Sequence, residues 1–135
     1  MKSVLIDTCA YSHLLHKHVL LQEIIENADK VYLSPIVIGE LLAGFKKGSR
    51  EKNNTDILEN FIGKFATLCE VTYETAEIYS DVYTKLRKQG APIPINDVWI
   101  AAQCIELGAK LLTFDKHFAN IPGLRVWFGA SPVCK

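Results

Sequence analysis

The stretch from Asp97 to Leu107 restricts this chain more than any other. Within it only Asp97, Gln103 and Glu106 are polar, and a helix that is apolar nearly all round belongs in the middle of a domain. Asn96 is placed to serve as its N-cap, with Pro94 and Ile95 extended ahead of it. Gly108 supplies the stop. By i, i+4, i+7 spacing Asp97 shares a face with Ala101 and Cys104, so a carboxylate heads a buried stripe. An acid at a helix start suits the macrodipole, by about 0.3–1 kcal/mol. That would explain Asp97 if the chain held no comparable acids elsewhere.

Short apolar runs surround this helix in sequence. Val4-Leu5-Ile6, Val31-Tyr32-Leu33, Leu68-Cys69-Glu70-Val71, Lys110 to Phe114 and Leu124 to Trp127 read as strands. Between them lie helical segments. Tyr11 to His18 gives a helical turn, and Val19 to Ala28 an amphipathic helix with Leu20, Leu21, Ile24 and Ile25 inward. Ser34-Pro35 is a start signal, a capping hydroxyl followed by proline at the first helical position. That helix runs to about Lys47, with Ile38, Leu41, Leu42 and Phe45 on one face. Gly48 to Asn54 is polar and basic and reads as a loop, followed by a helix from Thr55 to Phe65. Thr72 caps a long helix to Gln89. Nearly all-apolar strands alternating with helices imply an α/β fold, a parallel sheet covered on both faces. Ligands of such sheets bind outside the carboxyl ends of the strands.

The 135 residues are expected to form one domain spanning 1–135. No apolar run approaches the ~18–20 residues that cross a bilayer, and Asp7 interrupts the N-terminal apolar run where a signal peptide needs its core. A cytoplasmic protein without a membrane is expected. Fifteen basic residues balance fifteen acidic ones, which argues against a dedicated nucleic-acid binder unless bound cations neutralise some of the acids. Cys9, Cys69, Cys104 and Cys134 form no CxxC pair, so zinc ligation is disfavoured and reduced, mostly buried thiols are expected.

Against this frame the acids become informative. Asp7 and Asp115 each close an apolar strand. Glu40 is the only charged residue between Pro35 and Phe45, and Asp97 begins the central helix. All are expected at the same edge of the sheet. Clustered, partly buried carboxylates repel and raise each other's pKa, and a divalent cation removes the conflict. Oxygen ligands without clustered His or Cys favour Mg²⁺ or Mn²⁺ over zinc. A pair of such ions would give the water–phosphate geometry that nucleases use.

Ile6-Asp7-Thr8, Gly39-Glu40-Leu41, Asn96-Asp97-Val98-Trp99-Ile100-Ala101-Ala102 and Thr113-Phe114-Asp115-Lys116-His117-Phe118 resemble the acidic motifs of PIN-domain nucleases. Within that superfamily the chain resembles the VapC-type toxins of toxin–antitoxin pairs, over essentially its whole length. The resemblance implies a three-layer α/β/α sandwich with a mostly parallel central sheet. It implies a Mg²⁺- or Mn²⁺-dependent endoribonuclease acting on RNA, a homodimer, and a small VapB-like antitoxin. Carried over by position, Asp7, Glu40, Asp97 and Asp115 are the catalytic and metal-holding quartet, with Asp7 and Asp97 on the principal ion. Thr8, Thr113 and Asn96 are supporting polar residues. Cys9 departs from the family, which often has asparagine or another small polar residue there.

Other residues carry plainer readings. Lys46, Lys47, Arg50 and Lys52 offer phosphate contacts or a solvated basic loop in equal measure. His13, His16 and His18 lack acids beside them and fit a surface or antitoxin-facing role better than zinc. His117 follows Asp115 at the edge of the site, and packing or capping a short helix from Lys116 to Asn120 is expected of it rather than general-base work. Trp99, Tyr79 and Tyr83 fit core or dimer packing better than base stacking. Two other functions stay open. A haloacid-dehalogenase phosphatase needs a second aspartate where Cys9 stands, and a PIN-like RNA-processing nuclease or a non-catalytic binding module would keep the fold without being a toxin.

Overall fold

A computed structural model describes residues 2–130. The order of elements is β1 (Ser3–Ile6), α1 (Thr8–Leu15), α2 (Val19–Asn27), β2 (Lys30–Leu33), α3 (Pro35–Lys47), α4 (Glu51–Lys64), β3 (Thr67–Leu68), α5 (Tyr73–Lys88), α6 (Ile95–Leu107) and β4 (Lys110–Thr113). A 3-10 turn at Lys116–Asn120 and β5 (Arg125–Phe128) follow. The strands form one parallel sheet in the order β3-β2-β1-β4-β5. It is the α/β/α sandwich expected, with every strand pair parallel.

β1 lies at the centre because it is the most apolar strand. Leu5 and Ile6 are fully buried, and Leu5 sits between Tyr32 on one side and Leu111 on the other. Crossing from β1 to β2 and then reversing to β4 makes β1 the switch point of the sheet, where the loops after β1 and β4 part and open a crevice. The amide of Asp7 donates to the Leu112 carbonyl (3.3 Å), so the ends of β1 and β4 are tied together.

Helix α6 is the buried helix its sequence implies. Val98, Ile100, Ala101, Ala102, Gln103 and Cys104 are all buried. Gln103 is tolerated there because both its amide oxygen and its amide nitrogen find partners. Its Oε1 accepts from the Ser34 hydroxyl (2.6 Å) and its Nε2 donates to the Glu70 carbonyl (3.1 Å), which pins α6 to the ends of β2 and β3. Gly108 closes the helix at φ 65°, a left-handed conformation that glycine adopts without steric cost. Burial pushes the Cys104 thiol up to about 12 and the Cys69 thiol to about 11, so both are protonated packing residues, and both are free. Cys9 is disulfide-bonded, which corrects the expectation of a reduced thiol there, and Cys134 lies outside the described residues.

Several boundaries differ from the sequence reading. Asn96 does not cap α6. The helix starts two residues earlier, Pro94 takes the cap position without a side-chain bond, and the Asn96 side chain is recruited elsewhere. The stretch 51–54 is helical rather than loop: Glu51 places an acid in the first turn of α4, and Lys46 and Lys52 pair with Glu51 (2.8 Å) and Asp56 (3.0 Å) across its start. Leu20 is 59% exposed where an inward position was expected, and only Leu21 of α2 is fully buried. Tyr79 stacks on Trp99 (4.0 Å) and Tyr83 lies beside it (5.8 Å), so these rings join α5 to α6 as packing residues. Among the described residues no helix is long and apolar enough to cross a membrane.

Candidate active site

The four acids singled out in sequence meet at one place. Asp7, Glu40, Asp97 and Asp115 line one cleft of about 560 Å³, with Thr8, Cys9, Ser12, Pro94, Ile95 and Asn96. Each arrives from a different element. Asp7 follows β1 and caps α1, Glu40 projects from the second turn of α3, Asp97 from the first turn of α6, and Asp115 precedes the 3-10 turn after β4. The carboxyl-end rule therefore holds for the strand-borne acids, and helix starts bring partial positive charge to Asp7 and Asp97.

Asp7 is the deepest, only 4% exposed. One carboxylate oxygen accepts from the Ala10 amide (2.8 Å), as a helix cap should, and the other accepts from the Thr113 hydroxyl. Thr113 is itself fully buried, and its oxygen also accepts the Asp115 amide (3.0 Å). One hydroxyl thus fixes two acids. Burial nevertheless pushes the Asp7 carboxyl up to about 6. The Thr113 and Ala10 hydrogen bonds oppose the shift, and the like charges of Asp97 and Asp115 add to it.

Asp97 is also raised, first by burial and then by the like charges of Glu40 and Asp115, with contact to His117 pulling the other way. Glu40 is held by two donors. The Thr8 hydroxyl donates to one oxygen (2.5 Å) and the Asn96 amide to the other (3.3 Å). Asn96 therefore leaves its expected capping role to orient an acid contributed by α3.

His117 reaches the acids as well as packing on its own turn. Its Nε2 lies 2.8 Å from an oxygen of Asp97, and its Nδ1 lies 3.8 Å from one of Asp115. Ligand atoms of Asp97, Asp115 and His117 all fall within 4.8 Å of one another. Local pattern gave only a short helix after Asp115, and the one usable signal was that a histidine two residues beyond a strand-end acid shares that acid's edge of the sheet.

His13 and His18 belong to a different cluster. His13 stacks on Phe114 (3.8 Å), and His18 meets Phe114 and Trp127 edge-on (5.3 and 6.1 Å). His18 also caps α2. Gly129 backs the same Phe114 ring so closely that an added Cβ would stand 1.9 Å from it.

The donor set fits a hard divalent cation. Among the described residues no lysine or arginine lines the cleft, so none of them balances the carboxylates with opposite charge. Two of the acids are held in a state where ionisation is disfavoured, and an ion of charge +2 relieves both burial and repulsion. Oxygen-rich sites of this kind suit Mg²⁺ or Mn²⁺.

Comparison with known proteins agrees with this geometry. The PIN domain family pattern matches residues 4–124. Ribonuclease VapC of Rickettsia bellii is 32% identical over 103 residues, covering 74% of this chain and 77% of that protein. Ribonuclease VapC2 of Haemophilus influenzae is 27% identical over 128 residues, 93% of this chain and 96% of the relative. The solved structure of VapBC-1 from nontypeable Haemophilus influenzae superposes with a TM-score of 0.85 at 24% identity, covering 93% of this chain and 97% of that one.

Proposed function

Because the chain belongs to the PIN-domain family, and within it to the VapC ribonucleases, we propose that it is a metal-dependent endoribonuclease and the toxin of a toxin–antitoxin pair. The observation that carries this reading is the convergence of Asp7, Glu40, Asp97 and Asp115 on one cleft, where no basic residue joins them among the described residues. In this reading the protein is one cytoplasmic nuclease domain, and those acids are its catalytic and metal-holding residues.

Asp7 and Asp97 hold the principal Mg²⁺ or Mn²⁺, and Glu40 and Asp115 complete the site directly or through water. When bound, the ion lowers the pKa of a water molecule and screens charge on the phosphodiester. The chain's own part is placement. Thr113 holds Asp7 and the Asp115 backbone at a common spacing, and Thr8 with Asn96 aims Glu40 from the opposite wall. The open mouth, where Ile95 is half exposed, admits an extended strand of RNA. An in-line attack leaves 5′-phosphate and 3′-hydroxyl ends, as the resemblance to PIN nucleases implies.

The partner in this reading is a VapB-like antitoxin, and the working form is a homodimer. Support for an antitoxin surface comes from apolar side chains on α1, α2 and α4. Leu15, Val19, Leu20 and Phe65 are 42–65% exposed, and Leu14, Ile25, Phe61 and Phe65, with Gln22 and Glu26, line a groove. An amphipathic helix would bury such a groove.

The test is incubation of partner-free protein with mixed cellular RNA and Mn²⁺, with and without chelator, beside Asp97→Asn. Cleavage that needs the ion and is lost in the variant is expected. Cleavage that survives chelation, or that Asp97→Asn retains in full, would overturn the proposal.

A further inference from the structure

His117 stands apart from the residues that line the cleft. It is not among the lining residues, yet it hydrogen-bonds to Asp97, which is. Its position is dictated by the 3-10 turn of residues 116–120, which Phe118 (1% exposed) anchors in the core. The imidazole leans on the Phe118 ring at 4.8 Å. From there, with the proton on Nε2, it donates to Oδ2 of Asp97 (2.8 Å), while Nδ1 faces Asp115 at 3.8 Å.

We propose that His117 is a positioning residue that decides which cation the cleft accepts, by occupying one oxygen of Asp97 and leaving only the other for the ion. This rests on the metal-dependent reading above. A carboxylate with one oxygen committed to an imidazole binds an ion through a single oxygen. Mg²⁺ and Mn²⁺ favour compact octahedral sites that such single-oxygen ligands build, whereas Ca²⁺ accepts six to eight ligands and takes carboxylates through both oxygens. Freeing Asp97 would let it turn and bind bidentately. His117 therefore discriminates against the larger ion without touching substrate. Partners of this outer kind typically change metal affinity by about 10–100-fold when removed.

The experiment is calorimetric titration of the metal-free chain with MnCl₂ and, separately, CaCl₂, for the wild type, His117→Ala, His117→Asn and His117→Gln. The wild type is expected to prefer Mn²⁺. His117→Ala and His117→Asn, neither of which reaches Asp97, should lower the Mn²⁺-to-Ca²⁺ affinity ratio by about tenfold or more. His117→Gln, whose amide N–H extends further, should restore most of it. Thermal melting of the metal-free proteins identifies variants that fold, and the asparagine variant carries the comparison if the alanine variant does not.

An unchanged ratio in a folded His117→Ala or His117→Asn protein would overturn the positioning role and leave the nuclease reading intact. So would a ratio in His117→Gln as low as in His117→Ala, since that is the signature of a histidine bound directly to the ion. A wild type that binds neither ion would overturn both.

Discussion

The two ends of helix α6 each carry a carboxylate, and the protein treats them oppositely. Near the C-terminus, Glu106 is fully accommodated by its own surroundings. One oxygen accepts from the Thr75 hydroxyl (2.5 Å) and the other from the Thr72 hydroxyl (2.9 Å), and the same threonines form the capping box of α5. This is a carboxylate used as structure, tying α5 to α6. At the N-terminus, the Asp97 carboxyl is raised first by its burial and further by the like charges of Glu40 and Asp115, with one histidine for relief. Hydrogen bonding could have satisfied Asp97 as it satisfied Glu106. Instead, acids from three further elements were brought to it. The conflict left standing at one end, beside the complete solution at the other, is what separates a site from a scaffold.

Substitutions should respect that division. Asp97→Asn is expected to reduce RNA cleavage by more than the ~100-fold typical of outer-sphere partners, with the fold retained, as measured by single-turnover cleavage and circular dichroism. Thr113→Val should come next. It removes the donor to Asp7 and the acceptor for the Asp115 amide, and a loss of about 10–100-fold in cleavage is expected. At the other end, Thr75→Val leaves a Glu106 oxygen without its donor. It should cost about 1–3 kcal/mol in urea unfolding while cleavage by the folded fraction stays at the wild-type rate. A fall in cleavage there would erase the contrast between the two ends.

Acidity sharpens the comparison further. Asp7 has a folded-state pKa of about 6, above its ordinary 3.8, so the folded chain holds this proton more tightly than the unfolded chain. The resulting stabilisation is fully present below pH 4 and is lost as pH rises through 6. Unfolding of the metal-free protein followed across that window should show this loss, amounting to at most about 3 kcal/mol from Asp7. Added Mn²⁺ should reverse it, because the ion binds the ionised acid and its affinity rises over the same range.

Local sequence carried much of this architecture and little of the site's wiring. Ser34-Pro35 started α3 and Gly108 ended α6 because capping chemistry acts within a few residues. The strands were legible from their apolar runs, and the rule that ligands gather at carboxyl ends placed Asp7 and Asp115 together. Asn96 shows where such reasoning stops. As a local residue it is a good N-cap, yet its amide is engaged by Glu40 from another helix, and a partner so distant in sequence leaves no local trace. His117 is placed at the site's edge by its distance from Asp115, but its contact with Asp97 comes from another element and leaves no local trace either. The start of α4 failed differently. Residues 51–54 lack the apolar periodicity that marks a helix, and Glu51 and Lys52 support the first turn through charge pairing instead.

Buried beside one another, the acids at this cleft are held against ionisation until a cation joins them. Thermal melting of the wild type and Asp7→Asn at neutral pH, each with and without Mn²⁺, tests it most directly. Relief of burial and repulsion should make metal-free Asp7→Asn melt above the metal-free wild type, and Mn²⁺ should raise the wild type while leaving the variant nearly unmoved. A variant that melts lower without metal, or that gains as much from Mn²⁺ as the wild type, would contradict the account.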